Sequence, residues 1–403
     1  MFFGNTNFKT DKVVLTSATV ITPYSVISDG AILVSNGKIQ EISSSPTTFR
    51  ESNAEIIDCS GTILIPGFID IHTHGGMGYD FTDGNFVAFE NLSNFYFSRG
   101  VTSLLATLSP LNHEDLGVAV SMISEYIYTN YKYTNIIGIH LEGPYLNPEF
   151  VGGNNPDFLE PADVDSFVNI MKMSRGFIRL ITVAPEIPGI NGIINAAVRA
   201  GVRVSAGHSS ANAETFQHSI SLGVNQVTHL FNGMPQLHHR SPNILSEALI
   251  DDRVFVQVIP DGVHIHPSVL KLVFKAKGAD RFVSITDSIR ATCLSDGEYD
   301  SAGRKVFVQN GEVRTAEGVI AGSTLTMDRA FKFLVKRLGV SFIEAAKMTS
   351  LNAARSIGID NSTGSIELGK EADIVGLDVK NFDVAFVMKK GIVRYSKSGI
   401  SNS

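Results

Sequence analysis

Eight apolar runs, each ending in polar residues, constrain this chain of 403 residues more than any other feature. In order they read ILIPGFIDIHTH, VTSLLATLS, NIIGIHLEGP, FIRLITVAPE, VRVSAGHS, NQVTHLFN, VFVQVIPDGVH and RFVSITDS. Short runs rich in Val, Ile and Leu are the texture of buried strands. Stretches of helical texture lie between most of them, at 84–98, 115–128, 190–200, 211–222 and 267–276. Strand and helix in alternation predict an α/β fold with a parallel sheet, and eight strands predict a closed (β/α)8 TIM barrel. In such a barrel the C-terminal strand ends build the active site, so the site is read from the endings of the runs.

The first ending carries His72 and His74. Successive strand residues point to opposite faces, so these two imidazoles share a face and reach one point. An HxH pair alone leaves two readings open, a metal site and a pair hydrogen-bonded into the barrel rim. The other endings supply Glu142 in HLEGP, His208 in SAGHS, His229 in VTHLFN and Asp287 in ITDS. Imidazole and carboxylate together suit Zn²⁺ or Fe²⁺, with coordination positions left for water. Six such residues at matching topological positions favour the metal reading over accident.

Both chain ends have a different texture. Residues 13–65 contain short β-rich runs broken by Asp29-Gly30 and Asn36-Gly37, and the last forty residues repeat the pattern with Lys390-Gly391 at a turn. Neither end has enough apolar surface to stand alone, so we expect one small β-sandwich domain from 1–65 plus 365–403, beside a metal-dependent catalytic barrel over 66–364.

The net charge of -7 argues against a nucleic-acid partner. No run approaches the ~18 apolar residues of a membrane span, and the N-terminus lacks a signal peptide's texture. Only Cys59 and Cys293 occur, in no CxxC spacing, which fits a reducing cytoplasm.

The stretches PGFIDIHTHG, GIHLEGPYLNP, VAPE, SAGHS, THLFNGM, DGVHIHP, TDS, AGSTLTM and TSLNAARSIGI, in this order, resemble the amidohydrolase superfamily. HLEGPYLNP followed by THLFNGMPQLHHR and DGVH is similar to its N-acetylglucosamine-6-phosphate deacetylase family in particular. The resemblance covers residues 60–375 and, through the β-rich ends, extends to the whole chain. It implies an amidohydrolase-type barrel, one or two divalent metals per subunit, and release of acetate from a phosphorylated amino sugar. Glu142, His208 and His229 match the principal ligands; Asp287 matches the catalytic acid/base. His72 and His74 match the pair found in members with two metals, with Glu142 as the bridge. Asn232, Gly233, Arg240 and His264 match substrate-holding residues, with Arg240 and His264 on the phosphate and sugar. Backbone groups at Gly153, Val319, Ile320 and Ala321 match further substrate contacts. In some members the arginine reaches into a neighbouring subunit, so the resemblance also implies a homodimer.

Three departures all touch the substrate side. Gly152-Gly153-Asn154 stands where the family usually has Gly-Ala-His, with Glu149, Phe150 and Val151 where basic residues are common. Ser241-Pro242-Asn243 follows Arg240 in place of x-Pro-Gly, and Asn232-Gly233 replaces Asn-Ala. The alternatives are therefore a deacetylase of N-acetylgalactosamine 6-phosphate or of another N-acyl substrate, and, from a different class, a non-catalytic binding protein on the same fold. Of the remaining histidines, His140 shares a face with Glu142 and reads as support for it, His113 and His218 read as solvent-facing, and His238, His239 and His266 read as pocket or surface residues.

Overall fold

The computed structural model describes residues 12–45, 53–131, 134–301 and 303–397. The eight runs form eight parallel strands: β1 (Phe68–Thr73), β2 (Val101–Leu108), β3 (Ile136–Glu142), β4 (Ile178–Val183), β5 (Arg203–Ala206), β6 (Val224–Val227), β7 (Phe255–Val258) and β8 (Phe282–Ser284). They pair in sequence order from β1 to β8. Register places strand ends side by side, Glu142 against Thr182 and Val183 against Ala206. No ladder joins β8 to β1, but three backbone bonds at the C-terminal end of β1 and just past β8 bridge that seam. The Asp287 N–H donates to the His72 carbonyl at 2.9 Å, and the N–H groups of His74 and Gly75 donate to the Ser288 carbonyl at 2.8 and 3.0 Å.

All five expected helices form, as Phe86–Ser98, His113–Asn130, Ile190–Arg199, Ala213–Leu222 and Pro267–Lys277. Their ends carry ordinary signals. Asn112 caps the second through the Asp115 N–H at 2.9 Å, with Glu114 and Asp115 favourably placed in its first turn. Two more helices, Val164–Met173 and Ile244–Ile250, fill the remaining crossovers. They are short, but Asp163 and Asn243 cap them and were their legible signal.

The described residues divide into two compact units, one within 12–69, 96–103 and 327–397, the other within 70–95 and 104–326. In the first, both chain ends contribute to a single eight-stranded sheet. Its ten-residue strand Lys12–Ile21 pairs with Glu55–Asp58 along one half and with Thr62–Pro66 along the other, and Thr62–Pro66 pairs in turn with the C-terminal strand Ile374–Asp378. Leu15, Ile32, Leu64, Ile374 and Phe386 bury their side chains in one cluster here, each worth about 1.5–3 kcal/mol relative to exposure. Asn36-Gly37 and Lys390-Gly391 are the expected two-residue hairpin turns, with φ of 50° and 73°, and of 49° and 75°. Asp29-Gly30 is not a turn. It lies inside the strand Val26–Ser35, where the register shifts opposite Ala18, and Asp29 has a φ of 52°, so the pair makes a bulge.

In the second unit, a three-stranded antiparallel sheet follows β8, of strands Gly297–Ser301, Arg304–Gln309 and Glu312–Thr315. Val306, Val308, Val313, Ile289 and Ala321 form its small core, which holds the segment 319–321 in place.

Candidate functional site

The strand endings converge. His72, His74 and Asp287 form one group and Glu142, His208 and His229 another, each with one donor atom per residue and all of a group's donors within 4.8 Å of one another. Glu142 stands between them. Its Oε1 lies 3.1 Å from His208 Nε2, 3.2 Å from His229 Nε2 and 3.4 Å from His72 Nε2, and its Oε2 lies 3.5 Å from His74 Nε2. Asp287 Oδ1 is 3.4 Å from His72 Nε2 and 3.1 Å from His74 Nε2.

These spacings fit a metal. A tetrahedral ion with bonds of 2.0–2.1 Å holds its ligands about 3.3 Å apart, and the Nε2 atoms of His208 and His229 face each other at 3.1 Å. Ring tautomers agree. The Nδ1–H of His208 donates to the Phe150 carbonyl at 2.7 Å, and Nδ1 of His72 meets Gln257 Oε1 at 3.1 Å, which leaves both Nε2 lone pairs aimed inward. His72 Nε2 is buried and without a hydrogen-bond partner, a state that costs free energy unless a cation takes the lone pair. His74 Nδ1 meets Ser109 Oγ at 3.1 Å. His229 has no partner on Nδ1 and is set by ring packing against His208 and His72, with centroids 4.7 and 5.5 Å away.

Backbone conformation aims three of these side chains. His208, His229 and Asp287 have φ of 48°, 28° and 51°, the left-handed region that non-glycine residues rarely adopt. Such conformations cost about 1–3 kcal/mol each and persist where the surroundings over-determine them. For Asp287 the surroundings are visible: its N–H donates to His72, its carbonyl accepts from the Ser323 N–H at 2.7 Å, and the Ser323 hydroxyl donates to the Thr286 carbonyl at 2.6 Å.

Electrostatics also describe a place built for positive charge. Burial alone raises the Glu142 carboxyl, but His72, His208 and His229 override it and hold it well below the ordinary carboxylate range. Asp287 is likewise lowered by His72 and His74 against its burial. Burial pushes His72 down, yet Glu142 and Asp287 outweigh it and hold the imidazole up at about 9. His74 and His208 are also raised, against burial, by the same two carboxylates. Burial lowers His229, and burial and His72 push His140 well below its ordinary value. Its ring lies 4.7 Å from that of His72, and its nitrogens meet Thr107 Oγ1 at 3.1 Å and Thr182 Oγ1 at 2.8 Å.

A cavity of about 300 Å³ opens over both groups. His74, Glu142, His208, His229 and Asp287 line it, as do Gly153, Asn232, Gly233, His264, Val319, Ile320 and Ala321. Gly153 is required by contact, since a Cβ there would lie 2.7 Å from that of Ala321. Gly233 is required twice, by a φ of 61° and by a Cβ position 2.8 Å from His208 Nδ1. Asn232 uses its amide N–H groups on the His229 and Leu230 carbonyls at 3.1 and 3.2 Å, so its remaining polar end is an acceptor. Asp261 Oδ2 holds His264 Nδ1 at 2.7 Å and, against burial, raises its pKa. The Val319 carbonyl accepts from the Thr315 N–H at 2.8 Å and the Ala321 N–H donates to the Val313 carbonyl at 3.1 Å, so these two groups already serve the turn. Arg240 is apart from this set. It is exposed, outside the residues that line the cavity, and donates to His239 Nε2 at 2.6 Å. His238 and His239 are exposed beside it, and His266 caps the helix Pro267–Lys277.

Sequence reasoning left three participants out of the site. Asn154, noted only as a departure, is buried in the cavity wall with its amide 3.5 Å from Glu142 Oε2 and 3.4 Å from His208 Nε2. Gln257 orients His72, and its signal was a glutamine inside the apolar run VFVQV. Ser109 supports His74, and its signal was the polar end of the second run.

The chain is similar to known proteins along most of its length. The amidohydrolase family model matches residues 63–394. N-acetylglucosamine-6-phosphate deacetylase of Bacillus subtilis (strain 168) is 32% identical over 91% of this chain and 93% of its own length. N-acetylgalactosamine-6-phosphate deacetylase of Escherichia coli O157:H7 is also 32% identical, over 91% of this chain and 95% of its own length. Among solved structures, a mutant N-acetyl-D-glucosamine-6-phosphate deacetylase from Mycobacterium smegmatis, in complex with N-acetyl-D-glucosamine-6-phosphate, superposes with a TM-score of 0.90 at 29% identity, covering 96% of this chain and 100% of that one.

Proposed function

The chain belongs to the amidohydrolase family, and from that premise we propose that it hydrolyses N-acetyl-D-glucosamine 6-phosphate to D-glucosamine 6-phosphate and acetate. The observation that carries this reading is the meeting of two three-ligand groups at Glu142, under a cavity walled by Gly153 and 319–321. Glu142, His208 and His229 would hold one divalent ion, Zn²⁺ or Fe²⁺, and His72, His74 and Asp287 a second, with Glu142 facing both. Such an ion lowers the pKa of water from about 15.7 toward 7 and polarises an acyl oxygen.

The chain's own groups supply the rest. Asp287, held anionic by His72 and His74, accepts the proton of the attacking water at a carboxylate oxygen. It then delivers that proton to the departing nitrogen as the C–N bond breaks, and the water's second proton, carried on the acetic acid product, passes to the more basic amine, giving the ammonium form of the amino sugar phosphate and acetate. Gln257 and the Phe150 carbonyl keep the His72 and His208 rings in the tautomer that presents Nε2. Asn232 and His264 orient the sugar from the cavity wall. Arg240 offers a planar fork of donors for phosphate oxygens, and its exposed position supports a homodimer in which it reaches a neighbouring chain's cavity.

A second reading has one observation in its favour. The N-acetylgalactosamine-6-phosphate deacetylase is as similar as the N-acetylglucosamine-6-phosphate deacetylase, each 32% identical, so the epimer N-acetylgalactosamine 6-phosphate is the competing substrate. No described helix is long and apolar enough to cross a membrane. Cys59 is a buried free thiol, which supports a reducing, cytoplasmic location. Steady-state acetate release from both epimers and from unphosphorylated N-acetylglucosamine tests the reading. The expected order of kcat/KM is glucosamine phosphate, galactosamine phosphate, unphosphorylated sugar; a preference for the unphosphorylated sugar would refute it.

A further inference from the structure

Glu186 lies just past the end of β4, half-buried and outside both ligand groups, and its carboxylate accepts four hydrogen bonds. Oε1 takes the Ser210 N–H at 2.6 Å, the Ser210 hydroxyl at 3.1 Å and the Asn147 amide at 2.8 Å, while Oε2 takes the Ser209 hydroxyl at 2.6 Å. Charge-assisted bonds this short are about twice as strong as neutral ones. The donors come from two segments that meet at His208. Ser209 and Ser210 follow it directly and fix the turn in which its φ is 48°. Asn147 begins the short helical turn Pro148–Phe150, whose last carbonyl accepts from His208 Nδ1 at 2.7 Å. Asn147 also donates its own N–H to the His208 carbonyl at 3.0 Å and its amide to the Ser210 hydroxyl at 2.9 Å.

We infer that Glu186 is the positioning residue for His208: one carboxylate clamps the segment that carries the imidazole to the segment that carries the acceptor for its Nδ1–H. The physical logic is preorganisation. A left-handed histidine on a loop has other conformations available, and each one that turns Nε2 away from Glu142 and His229 weakens the ion's site. Glu186 removes them by anchoring the turn on one side and the ring's acceptor on the other. It is outside both ligand groups and outside the residues that line the cavity, so its effect is on affinity for the metal through His208 geometry. The inference rests on Glu142, His208 and His229 forming a metal site.

The test is competition between purified, metal-stripped protein and a chromophoric chelator for Zn²⁺, with the visible spectrum of the Co²⁺-loaded protein as a report on ligand geometry. Loss of an outer partner of a ligating histidine typically weakens metal binding about 10–100-fold, and Glu186→Ala should weaken Zn²⁺ binding by that factor and shift the Co²⁺ bands. Glu186→Gln keeps one accepting oxygen and an amide that Ser209 can meet, so its loss should be smaller, about three- to tenfold, and it is the variant to read if Glu186→Ala does not fold. Zn²⁺ affinity within about twofold of the parent and an unchanged Co²⁺ spectrum in both variants would overturn the role of Glu186, given the loss expected for an outer partner. A parent that binds no Zn²⁺ would overturn the metal reading beneath it, a separate and distinguishable failure.

Discussion

The Asp287 N–H donates to the carbonyl of His72 at 2.9 Å. One bond thereby bridges the seam between the first and last barrel strands and sets the proposed proton carrier over the first imidazole pair, so barrel closure and the geometry of the acid/base are one feature. Asp287→Asn keeps that backbone bond but removes the carboxylate. Turnover should fall by about a hundred- to ten-thousand-fold, while elemental analysis still finds the ion held by Glu142, His208 and His229. Wild-type turnover would remove Asp287 from the acid/base role.

His72 and His74 serve the group that contains Asp287, whereas His208 and His229 serve the other. The double variant His72→Asn/His74→Asn should therefore bind one ion fewer per chain by elemental analysis and stay folded. Complete loss of metal would show that the two groups do not fill independently.

Metal affinity should rise with pH. His72 is held up at about 9 from an ordinary 6.5, and His74 and His208 are raised as well. Below those values the imidazoles carry protons that an ion must displace, so acid weakens binding, by about tenfold per pH unit for each proton released. Calorimetric titration of the metal-stripped protein with Zn²⁺ in two buffers of different ionisation enthalpy measures the release directly. The expected result is net proton release near neutrality that diminishes above the His72 value of about 9; no release would count against protonated imidazoles.

Gly233→Ala should cost about 1–2 kcal/mol of stability from the left-handed backbone alone. Its methyl would also press on His208 Nδ1 and the Phe150 carbonyl, so denaturation midpoint and Zn²⁺ affinity should fall together. A drop in stability with unchanged affinity would mean that the His208–Phe150 bond moves without consequence.

Arg240→Ala should raise KM for the phosphorylated sugar by about 2–4 kcal/mol in binding terms, leave kcat nearly unchanged, and leave the unphosphorylated sugar unaffected. An unchanged KM would release Arg240 from the phosphate.

How much of this was legible in the residues follows from the physics of each feature. Strand endings were legible because burial makes the runs apolar and the barrel then puts every polar terminus on one rim, so Glu142, His208, His229, Asp287 and the HxH pair could be read together. Asn154 and Glu186 were harder: each acts through loops that fold back on the site, and no periodicity records where a loop returns. Asp29-Gly30 suits a turn and a bulge alike, and only pairing with Ala18 decides between them. Arg240 shows the limit of a motif, since the pattern names the residue while the fold of one chain leaves it outside the cavity.

The most direct test of the account is acetate release from N-acetyl-D-glucosamine 6-phosphate by purified protein whose metal content is measured in the same sample, before and after chelation. The expected result is stoichiometric divalent metal, acetate release that stops when the metal is removed, and recovery on adding Zn²⁺ or Fe²⁺. Protein that contains no metal, takes none up, and releases no acetate from either hexosamine phosphate would contradict it.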